Sequence, residues 1–118
     1  MQRVMCKSKI SGLKITHKGL QYQGSIELPP EVLEASDIFP GEMILVINEY
    51  NGARFETYAI KGKPGRCGLL GGAARLGELG DRLLVISSVI MDSKDAKSNS
   101  IKIVFLNEDN KIVSTKKH

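Results

Sequence analysis

Gly24-Ser25, inside "LQYQGSIEL", is the pair of neighbours in this chain best suited to do chemistry on each other. A serine hydroxyl next to an acyl carbon that carries no side chain can attack that carbonyl. An N-to-O acyl shift would leave an ester, and β-elimination would leave dehydroalanine, which hydrolyses to a pyruvoyl group at a new N-terminus. Glycine suits the acyl side because it neither blocks the approach nor resists unusual backbone angles. The plain alternative is a β-bulge at Gly24 with Ser25 a solvent-facing strand residue. Spacing alone does not choose between them. The other reactive types are sparse. Cys6 and Cys67 lack metal-ligand spacing and read as inert free thiols, His17 reads as structural, and His118 belongs to the tail.

Elements must position that pair, and 118 residues suffice to bury a core without disulfides or metal. The composition, 42% hydrophobic and 25% charged, is that of a globular domain, read here as one domain over residues 1–118. No apolar run reaches membrane-spanning length, and "MQRVMCKSKI" lacks a signal core, so a cytoplasmic protein without a membrane partner is expected. A net charge of +4 raises the question of nucleic acid, but the cations are dispersed and no aromatic pair is set for base stacking. No nucleic-acid partner is expected; a mildly basic surface also suits a small acidic substrate.

The pattern is mostly strands. "VMCKSKI" and "LKITH" read as two strands divided at Ser11-Gly12, followed by "GSIEL". "PPEVLEASDIF" reads as the clearest helix, with proline in its first turn. "EMILVINEY" and "ARFETYAIKG" form a hairpin at Asn51-Gly52, a type I′ signal. Arg54, Glu56 and Tyr58 then share one face of the return strand, and Phe55, Thr57 and Ala59 the other. The Gly-rich 63–81 stretch reads as loop with one helical turn, "RLLVISSVIM" as a buried strand, and "IKIVFL" and "KIVST" as a hairpin. The tail "KKH" reads as disordered. Many short strands with one or two short helices predict a mainly β, barrel-like fold.

Lys9, "THKGLQYQGSI", "NGARFETYAI" and "GAARLGELGD" together resemble the pyruvoyl-dependent aspartate 1-decarboxylases, which make β-alanine for pantothenate synthesis. The likeness runs over about residues 1–106, anchored at Lys9, Tyr22, Gly24-Ser25, Asn51-Gly52, Arg54, Thr57 and Tyr58. It implies a double-psi β-barrel, a homotetramer, and self-cleavage between Gly24 and Ser25 into chains 1–24 and 25–118. Ser25 would become the covalent pyruvoyl cofactor, with no metal, and form a Schiff base with L-aspartate that serves as electron sink as CO2 leaves. Arg54, with its bidentate fork, and Lys9 would grip the dicarboxylate. Gly71, Gly72 and Ala73 would complete the substrate site. Tyr58 would be the proton donor, and Thr57 would stabilise the oxyanion formed during maturation. Because Thr57 alternates with Arg54 and Tyr58, a bulge or a different contact is expected there. Some relatives cleave only with a maturation factor, a further partner the resemblance allows.

Two departures from the family pattern stand out. Ser11 replaces a histidine common in relatives, with little consequence for imine chemistry. Leu70 falls where the family carries asparagine, exchanging an amide for an apolar side chain, after a segment about two residues shorter than usual. Three readings follow: an aspartate decarboxylase, a pyruvoyl decarboxylase with a different amino-acid preference, or an unprocessed barrel acting as a binding or assembly partner. Retention of Lys9, Ser25, Arg54, Thr57 and Tyr58 favours an enzyme.

Overall fold

The computed structural model describes residues 1–20 and 24–118. Tyr22, one anchor of the family resemblance, lies outside the described residues. Among the described residues nine strands form one sheet: β1 Gln2–Lys14, β2 His17–Gly19, β3 Ser25–Leu28, β4 Met43–Asn48, β5 Arg54–Lys61, β6 Gly68–Leu70, β7 Arg82–Asp92, β8 Lys102–Leu106 and β9 Ile112–Lys117. Their order is β2-β6-β3-β5-β4-β7-β1-β8-β9. Three pairings, β1 with β8, β2 with β6 and β3 with β5, are parallel. Ile10 of β1 and Ile26 of β3 stand four strands apart in that order yet share one buried apolar cluster with Leu13, Leu28, Val46 and Leu69. The sheet therefore wraps around its core, as the mainly β reading requires.

Helix α1, Pro30–Ser36, starts where the two prolines preset the backbone and ends at Asp37, whose φ of 55° is left-handed. The amides of Asp37 and Ile38 bond back to the carbonyls of Glu34 and Leu33, so the helix stops earlier than "DIF" suggests. A four-residue helix, α2 Ser93–Ala96, is capped by the Asp92 carboxylate.

Four local expectations are revised. β1 is one strand rather than two, because Gly12 (φ +86°) takes up a register shift while the Leu106 carbonyl approaches within 2.9 Å of where its Cβ would be. The β4–β5 turn is not type I′: Gly52 has positive φ but Asn51 does not, and the side chain of Asn48 caps the loop by accepting from the amides of Tyr50 and Asn51. The Gly-rich stretch contains β6 as well as a six-residue 3-10 helix, Gly71–Leu76. The tail is not loose: β9 runs to Lys117, and His118 exchanges backbone bonds of 2.8 and 2.9 Å with Ile101.

An electrostatic tie holds α1 to the sheet. Glu42 accepts from Ser87 Oγ, from Lys7 Nζ at 3.1 Å and from the Phe39 amide, while Lys7 Nζ also donates to the Asp37 carbonyl. Burial alone would raise the Glu42 pKa, but the Ser87, Lys7 and Phe39 contacts outweigh it and hold the group below its ordinary 4.5. A depressed carboxylate contributes stability that is present above 4.5 and is lost as pH falls through the folded-state value. The melting temperature is therefore expected to drop below about pH 4.5. Glu42→Gln should flatten part of that acid limb while lowering stability at neutral pH; an unchanged limb in thermal melts would remove Glu42 from the effect.

Candidate active site

Gly24 lies in a bend just before β3, not inside a strand, and Ser25 is the first residue of β3. Both halves of the bulge alternative therefore fail. Ser25 is only 2% exposed, so it is not a solvent-facing strand residue. A Cβ placed on Gly24 would meet nothing within 4 Å among the described residues. Among the described residues packing thus makes no demand for glycine at 24, and a residue without a side chain leaves its own carbonyl open to approach.

Ladder register sets what surrounds Ser25. On one side it pairs with Leu70 of β6, which is 8% exposed. On the other, Ile26 pairs with Ala59 of β5 in parallel, which brings Ser25 alongside Tyr58. Strand alternation puts Ile26 and Ala59, both fully buried, towards the core, and Ser25 and Tyr58 on the opposite side. Gly71, Gly72 and Ala73 follow Leu70 directly as the start of the 3-10 helix; Gly71 has φ +67°, a left-handed value that glycine adopts readily. The loop shortening before β6 therefore does not displace residue 70: it stands opposite Ser25.

The remaining expected residues sit elsewhere. Arg54 is exposed at the start of β5, on the Tyr58 face but four residues away, about 13 Å along the strand. Lys9 is half-buried on β1, whose ladder partners are β7 and β8 rather than β3 or β5. It lies in one row with Ile86, Leu45 and Glu56, three strand spacings or about 14 Å from β5, on the same sheet face as Arg54. Thr57 pairs with Ile44 and is 8% exposed on the core side; the β4–β5 ladder runs without a register shift there, so no bulge turns it towards Tyr58. The fold thus gathers Ser25, Tyr58 and residues 70–73, and holds Arg54, Lys9 and Thr57 apart from them.

Several positioning groups escaped sequence reading. Asn48, fully buried at the end of β4, donates to the Leu76 carbonyl at 3.1 Å and to Asp81 at 3.0 Å. Asn51 donates to the same carbonyl at 3.2 Å, so the β4–β5 turn carries the end of the 3-10 helix. The Asn48 amide and the Glu78 backbone hold the Asp81 pKa below its ordinary value. Asn48 gave no signal because it closes an apolar run that reads simply as a strand. Cys67 is fully buried and donates no chemistry; burial first, then the Glu27 charge, pushes its thiol far up. Among the described residues no group of three or more His, Cys, Asp or Glu is placed to hold a metal ion, and no helix is long and apolar enough to cross a membrane.

The family model for aspartate decarboxylase matches residues 1–113. The chain belongs to the aspartate decarboxylase family. It is 46% identical over 116 residues to aspartate 1-decarboxylase of Thermoanaerobacter pseudethanolicus, covering 97% of this chain and 99% of that one. It is 45% identical to the aspartate 1-decarboxylase of Thermotoga petrophila, covering 98% and 100%. The Staphylococcus aureus (strain Newman) protein of that name is 39% identical, covering 96% and 91%.

Proposed function

We propose that this chain is an aspartate 1-decarboxylase that converts L-aspartate to β-alanine and CO2 after cleaving itself between Gly24 and Ser25. The observation that carries this reading is the buried Ser25 at the head of β3, beside Tyr58 and directly after Gly24, which carries no side chain to block its carbonyl. Ser25 Oγ attacks the Gly24 carbonyl carbon, the C–N bond breaks, and the chain is held as an ester with a free Ser25 amine. Loss of the Ser25 α-proton then breaks the Cβ–Oγ bond. Gly24 leaves as the carboxylate of chain 1–24, and the dehydroalanine heading chain 25–118 takes up water and releases ammonia. Residue 25 would hold the resulting pyruvoyl group, whose ketone would supply an electron sink for loss of CO2 from an amino-acid substrate.

The chain's own residues do the rest. Tyr58, alongside residue 25, returns a proton to the carbon that lost CO2. Arg54 and Lys9, on the shared sheet face, hold the substrate carboxylates. Their distance along the sheet from Ser25 fits a homotetramer in which neighbouring copies bring the two groups together. Thr57, behind Tyr58, supports the strand that flanks the scissile bond and serves maturation from the core side. A cytoplasmic location follows from the same reading.

Intact mass is the direct test. Purified protein should resolve into fragments of residues 1–24 and 25–118, the larger without an N-terminal amine; a single 118-residue mass after prolonged incubation would favour the non-enzymatic barrel. The time course also reads Leu70. An Asn at 70 would put an amide on the cross-strand neighbour of Ser25, about 5 Å away between Cβ atoms. One hydrogen bond of about 0.5–1.5 kcal/mol corresponds to roughly two- to tenfold in rate. Leu70→Asn should accelerate cleavage or β-alanine formation within that range, at some cost in thermal stability from the lost apolar burial. No change in either rate would mean that residue 70 acts only as packing.

A further inference from the structure

We infer that the Glu27 carboxylate, held by Arg66 across the backbones of Gly62 and Gly68, is a latch that fixes β3 against β6 and so positions Ser25 for attack on Gly24. The inference rests on the self-cleavage reading and extends it to residues with no assigned role. Among the described residues the β3–β6 ladder is short, made of the pairs Ser25↔Leu70, Ile26↔Leu69 and Glu27↔Gly68. A ladder of three pairs has little intrinsic register, and a slip of one residue would turn every side chain to the other face. Leu70 would then no longer stand opposite Ser25.

The Glu27 side chain opposes that slip. Arg66 Nε donates to Glu27 Oε1 at 3.0 Å, and the two side chains are 34% and 16% exposed. Arg66 belongs to the segment entering β6, so the ion pair joins β3 to the approach of its ladder partner. The carboxylate lies where only glycine leaves room: a Cβ on Gly68 would collide with Glu27 Oε1, and one on Gly62 would come within 3.3 Å of Glu27 Cβ. Gly62 in turn donates to the Leu28 carbonyl at 2.8 Å, closing the far end of β3. Ser25 is two residues from the latch, about 7 Å along the strand. Attack within one peptide needs the hydroxyl at near-contact distance, and displacement by about 1 Å can cost on the order of a hundredfold in rate. Glu27 and Arg66 are thus positioning residues that act through the ladder.

The test compares Glu27→Gln, Arg66→Gln, the double variant, Arg66→Lys and Gly68→Ala. Self-cleavage is followed by mass well below each melting temperature, and amide hydrogen exchange is measured in the uncleavable Ser25→Ala background. Expected are a ten- to hundredfold slower cleavage in each Gln variant and in Gly68→Ala, which displaces the carboxylate without removing a charge. The double variant should be no slower than the singles, and Arg66→Lys should recover part of the rate. Exchange should quicken at Ile26–Leu28 and Leu69–Leu70 but not in β8 or β9. Additive losses, unchanged exchange in β3 and β6, or wild-type cleavage rates in both Gln variants would each overturn the latch. If the wild-type chain itself never cleaves, the self-cleavage reading fails first and the inference falls with it; altered exchange would then describe a purely structural tie.

Discussion

Ser25→Ala is expected to yield a folded chain that remains 118 residues long and makes no β-alanine. The substitution removes the hydroxyl proposed to attack the Gly24 carbonyl while leaving a small side chain in a site that is 2% exposed. Volume hardly changes and the β3 ladder with β6 and β5 is made by backbone atoms, so stability should shift by no more than about 1 kcal/mol. Activity, in contrast, should vanish, because on the proposed reading the reactive group is made from this side chain. Intact mass, a thermal melt and a β-alanine assay on one preparation read all three quantities. Cleavage of the alanine variant at the same bond would sink the mechanism, since the hydroxyl would then be dispensable. A variant that fails to fold would be distinguished by its melt, and Ser25→Thr, which keeps a hydroxyl on a bulkier side chain, would then carry the comparison.

Arg54→Ala should separate maturation from turnover. Arg54 starts β5, about 13 Å along the strand from Tyr58, so it has no part in breaking the Gly24–Ser25 bond and cleavage should proceed at the wild-type rate. Substrate binding is another matter. A bidentate guanidinium–carboxylate contact is worth about 2–4 kcal/mol where neighbouring copies of the proposed tetramer shield Arg54, exposed in the single chain, from water. Its loss should lower kcat/KM for aspartate by about thirty- to a thousandfold. Lys9→Ala should cost less, because an ammonium offers a point charge without the planar fork. Near-normal kcat/KM in Arg54→Ala would show that the carboxylate is held elsewhere. Slowed cleavage in that variant would mean that residue 54 also shapes β3, which the ladder does not suggest.

The boundary between what the chain's order of residues determined and what folding decided runs through this site. Local rules placed α1 at its prolines, the β4–β5 and β8–β9 hairpins at their turn residues, and Arg54 and Tyr58 on one face of β5, because period and turn chemistry act over a few residues. Family likeness, carried by motifs in the right order, pointed to Ser25 and to the chemistry. Neither could show that Ser25 is buried, that Leu70 is its ladder partner, or that Glu27 lies over Gly68, since these depend on which of nine strands pair and in what register. Gly24 shows the same limit: the strand-interior bulge suggested by sequence became a bend outside β3 once pairing began at residue 25. Thr57 and Lys9 are the sharper cases. Sequence motifs name them alongside Tyr58, but the β4–β5 ladder turns Thr57 to the core and β1 carries Lys9 to the far side of β7. Contacts between strands distant in sequence are set by burial of the whole apolar cluster, and no window of neighbouring residues contains that information.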